Sequence, residues 1–153
     1  MKTALLALLI ALAGCGTVRE QAHTATAMDA ATTAAGVLSG VAYEANPLTA
    51  SPAAFAGVMI ARVVGVEIAD QLPEPQRTEV LTGWSSIWWG AGISNLLILL
   101  AAPTPVGLVT GAMFGFGWWQ SKEQEREFAA WCAWERQSNP ALRCIYTTPG
   151  LPG

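Results

Sequence analysis

"VLTGWSSIWWGAGISNLLILLAAPTPVGLVTGAMFGFGWWQS", residues 80–121, runs for 42 positions without an Asp, Glu, Lys or Arg. Only Ala102-Pro103-Thr104-Pro105 interrupts it near the middle. Proline lacks a backbone donor and pushes the residue before it out of the helical region. The stretch therefore reads as a hairpin of two helices, Trp84 to Ala101 and Val106 to Trp119, each approaching the roughly 20 apolar residues that cross a bilayer. Folding the hairpin at Pro103 and Thr104 sets Trp88 level with Trp119 and Trp89 level with Trp118. Trp84, Trp88, Trp89, Trp118 and Trp119 then gather at one end, the placement of an aromatic belt at a membrane surface. A buried hairpin in a soluble protein has no need of tryptophans at one end.

Composition points the same way. The chain is 52% hydrophobic and 12% charged, against about 25% charged in an average soluble domain. A net charge of −3 and the lack of a basic cluster argue against nucleic acid as a partner.

Upstream, Thr24 to Tyr43 is rich in Ala, Thr and Gly, and Ala53 to Ala69 is more apolar but contains Arg62 and Glu67. Between them Asn46-Pro47 and Ser51-Pro52 favour chain reversal. The pair reads either as two further spans or as an amphipathic hairpin packed on the first. Asp29, Thr33, Gly36 and Gly40 share one helix face, and Arg62 on the next helix offers Asp29 a counter-charge, although simple helical rise leaves the two about 9 Å apart in depth. Charges at mid-membrane depth usually face a protein interior or a wet cavity. Asp29 and Arg62 are thus either an internal polar pair or an ion or proton site.

Downstream, "KEQEREFAAWCAWERQ", residues 122–137, is charged and helical in spacing, an amphipathic helix suited to the interface. Asn139-Pro140 ends it, and "TTPGLPG" closes the chain as a frayed tail.

At the other terminus, Lys2 precedes an apolar run from Ala4 to Ala13. At roughly 15 Å of helix it covers half a bilayer core and reads as the apolar region of a signal peptide. Leu12-Ala13-Gly14-Cys15 resembles the lipobox of bacterial lipoproteins, over about 16 residues of the chain. The resemblance implies that residues 1–14 are removed and that Cys15 is acylated, with residues 15–23 a lipidated tether, 24–121 a transmembrane domain and 122–153 an extracytoplasmic helix and loop. An ordinary signal peptide or an uncleaved apolar N-terminus is the plainer alternative. "DAATTAAGVLSGVAYEANPL", residues 29–48, resembles the first-helix pattern of an uncharacterised family of small multi-spanning bacterial membrane proteins. Asp29, Thr32, Thr33, Glu44, Asn46 and Pro47 carry that likeness, and it brings no catalytic role. The lipobox departs from that pattern. The compact layout is also similar to membrane proteins of phages and mobile elements.

With Cys15 acylated, Cys132 and Cys144 are left as an even pair flanking Asn139-Pro140, suited to a disulfide outside the cytoplasm. An exported N-terminus and an even number of spans put the C-terminus outside as well. The positive-inside rule points the other way, because Arg19, Arg77, Lys122, Arg126, Arg136 and Arg143 then all lie outside. The signal acts first during export, and these basic residues are interleaved with acids, so the lipobox orientation is preferred.

No catalytic constellation is visible. His23 is the only histidine and falls in the tether, and with two cysteines it makes no four-ligand zinc site. "GAGISN" and "GLVTGAMFGFG" lack the Lys-Ser/Thr ending of a phosphate loop. Their glycines read as packing positions instead: Gly107, Gly111 and Gly115 form one stripe, Ser86, Gly90 and Ser94 a second, and Gly36 with Gly40 a third. The expectation is an all-α membrane bundle of two to four spans with an amphipathic C-terminal helix, without cofactor or metal. Membrane lipid is its partner, and it serves self-association or a larger envelope complex at the bacterial inner membrane. The alternative is a small channel or holin-like protein with Asp29 and Arg62 lining a wet interior.

Overall fold

The computed structural model describes residues 16–40 and 51–145. The signal segment, Cys15, Glu44, Asn46, Pro47 and the closing tail lie outside these. The described residues form four helices and no strand: α1 (Val18–Leu38), α2 (Pro52–Asp70), α3 (Gln76–Leu99) and α4 (Thr104–Ser138). The all-α expectation is met. Helix α2 is the one described helix both long and apolar enough, by length and composition, to cross a membrane; α3 and α4 are diluted by Gly, Ser and Trp.

Local chemistry sets the boundaries. Thr17 caps α1 through its side chain and Glu20 reaches back to the Thr17 backbone, a reciprocal capping box. The T-x-x-E pattern starts the helix at Val18, so residues 18–23, expected in a lipidated tether, are helical. Ser51 caps α2, with Pro52 in its first turn. Proline again opens α4, after a break in which Ala101 takes a φ of 70°. The hairpin sits where it was expected, but α3 starts eight residues before Trp84.

Helix α4 corrects a second expectation. The amphipathic C-terminal segment is not a separate helix: α4 runs unbroken for 35 residues, about 52 Å at the usual rise. The change in composition at Lys122 alters what surrounds the helix, while no Pro or Gly between Gly117 and Ser138 stops it.

Helix α3 is central, with α1 packed along one side and α4 along another; α2 leans more lightly on α1 and α3. Contacts pairing Gly115 with Ser86, Gly111 with Gly90 and Gly107 with Ser94 run α3 and α4 antiparallel. Two small apolar clusters fill the interior, one of Ala25, Met28 and Trp89, the other of Ala22, Val66, Ala69 and Leu81. Around them the buried positions are polar: Gln21, Thr26, Asp29, Thr32, Thr82, Ser85, Ser86 and Ser94. Large aliphatic side chains face outward, among them Ile60, Val63, Val64 and Ile68 on α2 and Val106, Leu108, Val109 and Met113 on α4.

Candidate functional site

Asp29 is buried on the face of α1 between α2 and α3, 5% exposed. Its Oδ2 accepts from Arg62 Nη1 at 2.5 Å, and its Oδ1 accepts from Asn95 Nδ2 at 3.0 Å. The same Asn95 nitrogen donates to Thr33 Oγ1 at 2.9 Å. The Arg62 guanidinium lies over the Trp88 ring, its carbon 3.5 Å from the centroid. Three helices are tied at one depth by one carboxylate. The depth offset expected for Asp29 and Arg62 is closed by the reach of the guanidinium. Gly92 makes the geometry possible: a Cβ there would stand 3.2 Å from the Asp29 backbone nitrogen and 2.8 Å from Met28 Cγ.

Chemically this is a clasp. Both carboxylate oxygens are engaged and the charge is neutralised by a guanidinium, which suits burial better than proton transfer. Asn95 and Trp88 were not foreseen in these roles. The signal for Asn95 was its position as an amide in the apolar run between Ile93 and Leu100; nothing in the sequence announced that Trp88 would sit beneath Arg62.

A second polar layer lies toward the start of α1. Arg19 pairs with Glu67 at 2.7 Å, His23 Nε2 meets Glu67 at 2.8 Å, and Arg77 bridges Asp70 at 2.7 Å and Glu74 at 2.9 Å. On α4, Lys122 pairs with Glu125 at 2.8 Å and Arg126 with Glu123. His23, read from the sequence as neither catalytic nor zinc-binding, is held by Glu67. The Arg77 guanidinium, foremost among its neighbours, holds the Glu74 carboxyl below the usual range, and hydrogen bonds from the Thr17 backbone and hydroxyl do the same for Glu20. At the opposite end, where α2 starts and α3 passes to α4, no described residue is charged. From Glu79 to Leu99 α3 rises about 30 Å, and from Thr104 to Lys122 α4 rises about 27 Å.

The glycine stripes of α3 and α4 face each other. A Cβ at Gly90 would stand 2.8 Å from the Gly111 carbonyl oxygen, one at Gly115 2.5 Å from that of Ser86, one at Gly107 3.2 Å from that of Ser94, and one at Gly111 would strike the Gly90 carbonyl. Gly36 is buried on α1. Gly40 is not a packing residue: it lies beyond the α1 C-cap with a φ of +69° and nothing within 4 Å of a Cβ. Its role is to turn the chain in the left-handed region that glycine alone adopts freely. Gly65, not singled out from the sequence, receives the Trp84 ring.

The five tryptophans do not form an outward belt: Trp88 and Trp89 lie near the middle of α3. Trp89 is 2% exposed and packs against Trp118 with ring centroids 5.9 Å apart. Trp84 donates to Thr26 Oγ1 at 3.0 Å and Trp88 underlies Arg62. Of the five only Trp119 is exposed, whereas Trp131 and Trp134 on the α4 extension are exposed as well. The belt is therefore corrected for Trp89: beside the small residues of the α3 and α4 stripes it fills interior space.

Cys132 and Cys144 are joined by a disulfide, with Cα atoms 6.1 Å apart. The chain turns back after Asn139, and Arg136 Nε donates to the Leu142 carbonyl at 3.1 Å. No group of three or more His, Cys, Asp or Glu side chains among the described residues is placed to hold a metal. Compared with known proteins, the chain matches no family model, no curated protein and no solved structure.

Proposed function

We propose that this chain is a small non-enzymatic integral-membrane lipoprotein whose four helices form a bundle that assembles, with itself or within a larger complex, in the bacterial cell envelope. The observation carrying this reading is the inverted distribution of side chains. Inside, Ser, Thr, Gly and Ala with one ion pair outnumber large apolar residues such as Leu81 and Trp89, while Ile60, Ile68, Leu108, Val109 and Met113 are outside, each more than half exposed. In water such a surface is a large apolar liability around a core too small and polar to support it. In hydrocarbon the outer aliphatic residues meet lipid, and small interior residues let helix backbones approach. Polar side chains then find partners inward, as Asp29, Arg62 and Asn95 do.

Dimensions add support. The uncharged zone of α3 and α4 is close to the roughly 30 Å of a hydrocarbon core. Gly16, which follows Cys15 directly, lies at the charged end, so an acyl chain on Cys15 would enter the membrane at the level where the apolar zone begins. The α4 extension with its disulfide projects from that same end. Lipid anchor and disulfide then share the periplasmic side. The channel alternative draws less support, because the Asp29 and Arg62 charges satisfy each other.

The test is biochemical. Membranes from cells expressing the full chain should retain it through alkaline carbonate washing, and a palmitate analogue should label the wild type and not Cys15→Ser. Release by carbonate would refute the membrane reading. Equal labelling of both forms would refute the lipid anchor alone.

A further inference from the structure

A cleft of about 400 Å³ opens at the charged end, between the start of α1, the first turns of α3 and the middle of α4. Lys122, Glu125 and Arg126 line it from α4; their spacing of i, i+3 and i+4 puts all three on one helix face. Gln21 of α1 and Thr78 and Thr82 of α3 face them. Two cations, a carboxylate, an amide and two hydroxyls thus converge on one hollow. The groove between α3 and α4 differs, being walled by Gly90, Gly115, Ile87, Phe116 and Trp119.

Arg126 holds Glu123 through a terminal nitrogen, but its Nε is buried with no hydrogen-bond partner among the described residues. That nitrogen is closed off from the cleft, so a ligand there would meet the exposed part of the Arg126 side chain, 27% accessible. Phosphate oxygens are among the acceptors a guanidinium fits best. Lys122 binds Glu125 at 2.8 Å, and an ammonium has three donors to distribute. Gly16 also borders the cleft.

We infer that this cleft binds the headgroup of a membrane phospholipid carrying a primary amine, an ethanolamine phosphodiester, with the phosphate on Lys122 and Arg126 and the ammonium on Glu125. The inference rests on the membrane reading above, which puts the cleft at headgroup depth. Charge selects the headgroup. Lys122 and Arg126 are balanced by Glu123 and Glu125, so the set suits a zwitterion better than a net anion. A glycerol headgroup brings no cation for Glu125, and a trimethylated amine has no N–H to donate to it.

The test uses the full-length protein in mild detergent. Phosphatidylethanolamine, phosphatidylcholine, phosphatidylglycerol, water-soluble glycerophosphoethanolamine and inorganic phosphate are offered separately, and adducts are read by native mass spectrometry. The ethanolamine lipid should be retained roughly tenfold over the other two lipids, the scale of one charge-assisted contact. Arg126→Gln should lose that retention. Glu125→Gln, an isosteric change at a half-exposed position, should keep lipid binding but erase the preference for ethanolamine over glycerol. Equal retention of the three lipids, or an unchanged preference in Glu125→Gln, overturns the assignment. Inorganic phosphate binding as well as lipid would mark a bare anion site and overturn it too. Protein that survives carbonate washing yet shows no preference sinks the cleft alone; protein released by carbonate sinks both readings.

Discussion

Arg62 of α2 meets Asp29 of α1 at 2.5 Å in the bundle interior, and Asn95 of α3 secures the second oxygen of the same carboxylate. Removing one member of such a pair strands the other charge; removing both leaves only a packing change. Asp29→Ala should therefore destabilise the bundle by about 3 to 5 kcal/mol, and adding Arg62→Met should recover most of the loss. Thermal unfolding in detergent measures both. A double variant no more stable than Asp29→Ala would show that the pair is not the unit that matters.

Asn95 supplies a separate test of the clasp, because it links α3 to Asp29 and Thr33 by hydrogen bonds. Asn95→Leu leaves the ion pair in place while removing donors to Asp29 and Thr33, and should cost about 1 to 3 kcal/mol. Hydrogen exchange should rise in α1 near Thr33. Unchanged protection there would mean that packing through Gly92 holds α1 to α3 unaided.

What the sequence made legible follows from which signals are local. The charge-free run broken at Pro103 and Pro105 located the α3 to α4 turn, and four-residue spacing brought Gly111 and Gly90 to facing positions. The charges named Asp29 and Arg62 as partners, although helical rise left them about 9 Å apart in depth and only the reach of the guanidinium closes the pair. Other features depend on tertiary geometry. The rotation of α3 decides that Trp89 faces inward and Trp119 outward, and a list of tryptophans at one level carries no such information. Gly40 shares a face with Gly36 only if the helix continues, and the chain leaves the helix at Ser39. The α1 start is spelled by the Thr17 and Glu20 capping box, a signal that competes with the tether implied by the neighbouring Cys15.

The disulfide lies on the α4 extension, beyond Lys122 and away from the apolar clusters of the bundle. Closing a loop of this size stabilises by about 3 kcal/mol in the chain-entropy account, and the effect should be confined to the segment it closes. Cys132→Ser with Cys144→Ser should leave bundle melting nearly unchanged and increase hydrogen exchange across residues 139–145. Alkaline phosphatase fused after Gly153 should be active if this end is periplasmic. An inactive fusion, with Cys132 and Cys144 freely alkylated in cells, would reverse the orientation.

Exposed carboxylates at the charged end make a pH prediction. Glu20 and Glu74 both titrate below the ordinary glutamate range, Glu20 through the Thr17 hydrogen bonds and Glu74 chiefly through Arg77. A depressed folded-state value means that the stabilisation is present above the unfolded value and is lost as pH falls through the folded one. Melting temperature in detergent should therefore decline as pH falls through and below the ordinary glutamate range. Both groups are exposed, so the decline should be small and weakened by salt. Thr17→Ala should remove the Glu20 part of it. A flat profile would mean that the capping box and the Arg77 pair form equally well with neutral carboxyls.

The contact between α3 and α4 gives the sharpest packing test. A Cβ at Gly111 would collide with the Gly90 carbonyl and stand 2.8 Å from Ser94 Cβ. Both neighbours belong to the facing helix, one of them backbone, so neither can turn aside cheaply. Gly111→Leu must push the two helices apart and should cost more than the roughly 1 to 3 kcal/mol typical of overpacking. Leu108, on the same helix, is 58% exposed, and Leu108→Ala should change stability little. Unfolding and crosslinked oligomer yield in detergent separate two roles for the stripe. If Gly111→Leu melts early, the stripe holds this bundle together. If the two variants melt alike, the close approach of α3 and α4 is not what stabilises the fold, and small-residue packing fails as its organising contact.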